Sequence, residues 1–150
     1  MEKIRIQRNV KRIEVNDNGE FITLDFDDLN LPYRYYGMLK RFEKDRAKLT
    51  NELAQKLKGK PADICTEELV KAERELNIYF RDAVDEVFGE GTCRKVYGDI
   101  LPSLEMHMQF FDALRPYFEE EAKRRQARMN KYSAKRSGDS VQRNIGRLSK

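Results

Sequence analysis

Residues 87–98, Val-Phe-Gly-Glu-Gly-Thr-Cys-Arg-Lys-Val-Tyr-Gly, constrain this chain more than any other stretch, because three glycines here interrupt two long segments that both carry helical apolar periodicity. Gly89 stands where the first pattern stops, and glycine tolerates the left-handed conformation that closes a helix C-terminus. Gly91 and Gly98 bracket a short apolar turn from which Phe88, Val96 and Tyr97 can fold inward. The expected result is a packed helical elbow. Glycines followed by Thr92, Arg94 and Lys95 do not make a phosphate cradle, since a P-loop needs a preceding strand and the order G-x-x-x-x-G-K-[ST], and neither is present.

The segments on either side set the fold class. Pro32 suits a first helical turn, and Gly59-Lys60-Pro61 ends the pattern, which predicts a helix over 32–58. Its stripe is Tyr35, Leu39, Phe42, Arg46, Leu49, Leu53 and Leu57, with Phe42, Leu49 and Leu53 assigned to the core and a seam for a partner helix along part of it as the alternative. Thr66 before Glu67 and Glu68 reads as a capped start, giving a second helix over 66–88. Its inward face is Leu69, Ala72, Leu76, Phe80, Ala83, Val84 and Val87. A third helix over 100–131 presents Leu104, Met108, Phe111, Leu114, Phe118 and Ala122, with Pro116 inside the pattern and a kink expected just before it.

The N-terminal part differs. Ile4, Ile6, Val10, Ile13 and Val15 are interleaved with basic residues. Asn16-Asp17-Asn18-Gly19 is a turn cluster, and residues 21–26 are rich in β-formers, so a hairpin is predicted over about 3–26. Asp25, Asp27 and Asp28 lack the glycine and the distant glutamate of a calcium loop and are expected to end the strand and cap the helix. The predicted fold is α+β, mainly α: an N-terminal β-hairpin packed on a bundle of three long helices with a short helical elbow, in one domain over 1–131, followed by a disordered basic C-terminal tail over 132–150.

Charge is divided as sharply as structure. Residues 1–122 carry 20 basic and 25 acidic side chains, a net −5, whereas residues 123–150 carry 10 basic and 1 acidic, a net +9. Lys123, Arg124, Arg125, Arg128, Lys131, Lys135 and Arg136 form a basic arm, which suits an acidic protein surface, including that of another copy, or phosphates read without sequence. With little aromatic interleaving beyond Tyr132, base stacking is unsupported; a solvated tail ranks first, a protein-binding arm second and nucleic acid third. No apolar run approaches the length of a membrane span and no signal-peptide core follows Met1, so a soluble, intracellular protein is expected.

Catalytic chemistry finds little footing. Cys65 and Cys93 are isolated thiols without a C-x-x-C. His107 is the only histidine and lies on a helix face where packing is expected. Glu73, Glu75, Asp82, Asp85 and Glu86 are interleaved with Lys71, Arg74 and Arg81, the pattern of a solvated face. The expectation is a protein that is not an enzyme, with no catalytic residue, metal or cofactor. Its candidate protein-binding residues are Tyr33, Tyr35, Tyr36, Met38, Met106, Met108 and Phe110, amphipathic rings and adaptable thioethers suited to an interface.

The run Phe88-Gly89-Glu90-Gly91-Thr92-Cys93-Arg94-Lys95-Val96-Tyr97-Gly98-Asp99, with Pro102-Ser103, Phe110-Phe111 and Arg115-Pro116-Tyr117-Phe118, resembles small tail proteins of phages and prophages of Gram-positive bacteria. Residues 13–22 and 24–26 resemble their opening, so the likeness spans roughly residues 10–135. It implies a tail assembly chaperone that coats the tape-measure protein in the host bacterial cytoplasm and keeps it soluble until tail-tube subunits displace it; the acidic body and basic arm would let copies join head to tail as homo-oligomers. A structural minor tail or connector protein retained in the particle is the alternative, and a nucleic-acid-binding accessory protein a lesser one.

Overall fold

The computed structural model describes residues 1–148, with side chains through residue 134. In chain order the elements are β1 (Val10–Glu14), β2 (Phe21–Asp25), α1 (Asn30–Lys56), α2 (Ala62–Phe88), α3 (Thr92–Tyr97) and α4 (Leu104–Leu148). The chain is mainly helical with an N-terminal two-stranded hairpin, as its patterning predicts. It divides into two compact units, Met1–Phe111 and Asp112–Lys150.

In the first unit β1 and β2 pair antiparallel, with Val10 opposite Asp25 and Glu14 opposite Phe21. The turn is organised by Asn16, whose Oδ1 accepts from the backbone N–H of Asn18 at 2.9 Å and of Glu20 at 3.2 Å. Successive strand residues face opposite sides, so Ile22 and Leu24 point inward while Thr23 is exposed, and Phe26 extends the inward row. The hairpin is shorter than the alternation predicts. Ile4 and Ile6 are 95% and 84% exposed, because the partner strand ends at Asp25 and leaves residues 1–8 nothing to pair with in the ladder.

Asp25, Asp27 and Asp28 organise the end of β2 and the approach to α1, whose N-cap is Leu29 without a side-chain cap. Asp25 Oδ1 accepts from Asp27 N–H at 3.2 Å, Asp28 Oδ1 from Asn30 N–H at 3.0 Å, and Asp27 Oδ2 from Asn9 N–H at 2.5 Å. Arg8 pairs with the Asp25 carboxylate. α1 then starts two residues before Pro32, and α2 starts at Ala62, four residues before the predicted Thr66. Pro61 is the residue that precedes the first turn, and Thr66 lies inside the helix, where its hydroxyl donates to Ala62 O at 2.9 Å.

The core of this unit gathers where α1, α2, the elbow and the start of α4 meet. Leu31, Tyr35, Met38 and Phe42 of α1 face Phe80, Ala83, Val84 and Val87 of α2, all buried. Phe42 sits edge-to-face with Phe80 and Phe111, ring centroids 4.7 Å and 5.2 Å away. Phe88 and Tyr97 reach Phe110 at 5.6 Å and 5.9 Å, so the elbow closes one side of the same aromatic cluster.

In the second unit α4 continues as helix with Pro116 inside it. Asp112 pairs with Arg115 at 2.9 Å, and Glu121 lies 3.8 Å from Arg125 and 3.7 Å from Arg128. Gln126 donates to Asn130 one turn on, at 3.0 Å. α4 is helical through residues 132–134. The rest of the expected tail, with Lys135 and Arg136, lies outside the residues whose side chains are described.

Candidate protein-binding surfaces

The elbow is a fixed corner. Gly91 adopts φ 82° at the start of α3, a left-handed conformation open to glycine at little cost. The Asp85 carboxylate reaches from α2 to accept the N–H of Cys93 at 2.9 Å and of Gly91 at 3.2 Å. Those are the backbone donors a phosphate would need, and the chain's own carboxylate already holds them. On the opposite side the hairpin turn is tied down: Asn16 Nδ2 donates to Lys95 O at 3.0 Å, and Glu20 pairs with Arg94 at 3.2 Å. Tyr97 and Thr92 are buried, while Phe88 and Val96 are half-buried, so the elbow's apolar residues serve packing.

Reactive groups near the corner are quenched by burial. Desolvation, with Asp85 adding to it, pushes the Cys93 thiol up to about 12, and its Sγ–H faces Arg81 O at 3.4 Å. His107 has no exposed surface, and desolvation lowers its pKa to about 4. Tyr97, itself raised by burial, has its hydroxyl 2.9 Å from His107 Nδ1. With the phenol donating, the imidazole proton sits on Nε2, which has no hydrogen-bond partner among the described residues. A neutral histidine stacked on Phe111 is a packed group. Among the described residues, no three or more His, Cys, Asp or Glu side chains are placed to hold a metal ion, and no helix is long and apolar enough to cross a membrane.

The predicted interface residues separate into two classes. Tyr35, Met38 and Phe110 are buried in the first unit's core and cannot meet a partner without unfolding, which corrects their assignment. Tyr33, Tyr36 and Met108 are exposed, and Met106 is half-buried. The first half of α1 is apolar on two sides, so residue type alone does not separate its buried row from its exposed one. Of the basic arm, Lys123, Arg124 and Lys131 are exposed, whereas Arg125 and Arg128 lie beside Glu121.

A surface that sequence reasoning assigned to the core instead opens to solvent. α1 and α2 form an antiparallel pair joined by residues 57–61, where Gly59 and Pro61 reverse the chain and Lys60 N–H bonds to Leu57 O at 3.1 Å. Lys56 and Glu68 span the pair at 3.7 Å. Beyond Phe42 on α1 and before Asn77 on α2, neither helix has a buried residue. Leu49, Leu53 and Leu57 of α1 and Leu69 of α2 therefore line an apolar trough of about 350 Å³, reaching Leu104. Leu69 is 50% exposed, so among the described residues of the first unit this half of the pair has an apolar face without a cover. Leu49 and Leu53 are half-buried and are corrected from core to trough wall.

Comparison with known proteins gives one result: a family described as "Family of unknown function (DUF6673)" matches residues 18–146. No curated protein and no solved structure matches the chain.

Proposed function

We propose a function for a chain that belongs to the family of unknown function DUF6673: it is a non-catalytic tail assembly chaperone of a phage or prophage, holding the tape-measure protein in soluble form in the host cytoplasm until tail-tube subunits replace it. The resemblance of residues 88–99 and their companions supplies the identity of the client. The trough supplies the physical support. Leu49, Leu53 and Leu57 recur at one-turn spacing, the arrangement that receives the i, i+3, i+4 face of an amphipathic helix, and a tape measure is a long succession of such faces. Copies also join head to tail, the basic arm of one meeting the acidic remainder of the next.

Co-expression with a tape-measure segment from the same genome tests this reading. The segment is expected to stay soluble only when the protein is present and to co-elute with it in size-exclusion chromatography with light scattering. Leu53→Glu places a charge in the trough and should lower affinity by about 2 kcal/mol or more, roughly 30-fold, while leaving the fold intact because Leu53 is outside the core. Equal solubility of the segment with and without the protein would sink the proposal. A structural connector is the competing reading, and mass spectrometry of finished particles separates the two, since a chaperone is absent and a connector is present in fixed copy number.

A further inference from the structure

The first half of α1 carries a second stripe that the core does not use. Leu31, Tyr35, Met38 and Phe42 are its buried row. Leu29, Tyr33 and Tyr36, spaced four and three apart, make another row on the outside, with Tyr33 80% and Tyr36 43% exposed. Beside them lies Gly37, in the interior of the helix. A glycine there weakens a helix relative to alanine, so something should require it. Nothing among the described residues does. Gly37 does not have a positive φ, and a Cβ built on it meets no atom within 4 Å. The missing side chain leaves room only for something outside the chain, as when a second helix backbone crosses closely over a small residue.

The surroundings indicate what crosses there. Tyr33, Tyr36 and Gly37 line a groove of about 690 Å³ whose charged walls are Arg34, Lys40 and Arg41 against one carboxylate, Glu86. Arg41 is held by its hydrogen bond to Tyr79 Oη at 3.2 Å. Arg34 and Lys40 have no ion pair among the described residues, so carboxylates arriving here would form new pairs without breaking old ones. Exposed tyrosines beside arginine are the composition of interface anchors.

We propose that this groove is a docking surface, separate from the leucine trough, for an acidic amphipathic helix of a partner protein. The helix backbone crosses α1 at Gly37, its apolar side lies on the Tyr33 and Tyr36 rings, and its carboxylates reach Arg34 and Lys40. A second copy using the same face would set three cations and one carboxylate against an identical set, a contact of net like charge. Glu86 in the wall opposes a phosphate backbone. The inference does not depend on the tape-measure reading.

Fluorescence anisotropy on the full chain tests it, with no phage protein in the assay. The probes are a labelled amphipathic helical peptide of about 20 residues with leucine on one face and glutamate on the other, its lysine counterpart, and a labelled single-stranded oligonucleotide. The glutamate peptide is expected to bind at least about 10-fold more tightly than the lysine peptide. Gly37→Leu should weaken that binding about 10-fold or more while the thermal midpoint stays at or above that of the wild type, because leucine is the better helix former. Arg34→Glu with Lys40→Glu should invert the preference between the peptides. Equal binding of the two peptides, or an unchanged affinity in Gly37→Leu, overturns the proposal. So does an oligonucleotide that displaces the peptide, which would make this a phosphate surface. A dimer seen by light scattering that Gly37→Leu dissociates would assign the face to a second copy and likewise overturn it.

Discussion

Phe42→Ala is expected to lower the unfolding free energy by about 3–5 kcal/mol. Phe42 is buried, and its ring meets Phe80 from α2 and Phe111 from α4 edge-to-face, with His107 6.4 Å away. Removing it opens a cavity where three helices converge, and rings held by different elements cannot all move in to fill it. Against a typical total of about 5–15 kcal/mol, that is a large share of the stability. Urea denaturation followed by circular dichroism checks the expectation: the midpoint should fall while the slope stays unchanged. Leu49→Ala, in the half-buried trough wall, provides the contrast and should cost well under half as much. Similar losses at the two positions would mean that the trough is core after all.

The second large effect is a pH dependence from His107. Its folded pKa is lowered from the ordinary 6.5 to about 4 by burial, so between those values the unfolded chain binds a proton that the folded chain does not. Folding stability is therefore fully present above about pH 6.5, falls as the pH drops toward 4, and gains no further slope from this group below that. The size of the window corresponds to about 3 kcal/mol. Urea midpoints measured across it should show the fall in the wild type and lose that component in His107→Phe, which keeps an aromatic ring against Phe111 and removes the titrating nitrogen. An equal slope in both proteins would show that other groups carry the acid sensitivity.

Much of the fold was legible because it is local. The glycine spacing around residues 89–98, the turn at residues 16–19 and the long apolar periods each specify an element through their own chemistry, and the hairpin turn, α1, the end of α2 and α3 lie where those signals place them, while β1 is shorter and α2 starts four residues earlier. What could not be read was which stretch of each helix is covered. α1 has 27 residues, about 40 Å of helix, and its apolar row runs nearly the whole way. Only the part up to Phe42 faces a core, so Leu49 and Leu53 share the period of Phe42 without sharing its burial. The choice between Tyr33 and Tyr35 has the same origin. Two adjacent rows on one helix are both apolar, and only the position of α2 and Phe88 decides that Tyr35, with its ring 6.3 Å from that of Phe88, is the inner one. Gly37 was a signal that sequence reasoning could have used: a glycine inside a strongly periodic helix, with no turn to make, asks for an external reason.

Hydrogen–deuterium exchange on the complex with a tape-measure segment tests the central claim most directly, because it reports which backbone the client covers. Free protein should exchange quickly in residues 46–57 of α1 and 62–73 of α2, where the helix pair has no buried side chains, and slowly around Phe42 and Phe80. In the complex, residues 46–57 and 62–73 should become protected together while the hairpin and the elbow stay as they were. A stable complex that leaves those two segments as exposed as in the free protein would contradict the assignment of the leucine trough as the client site.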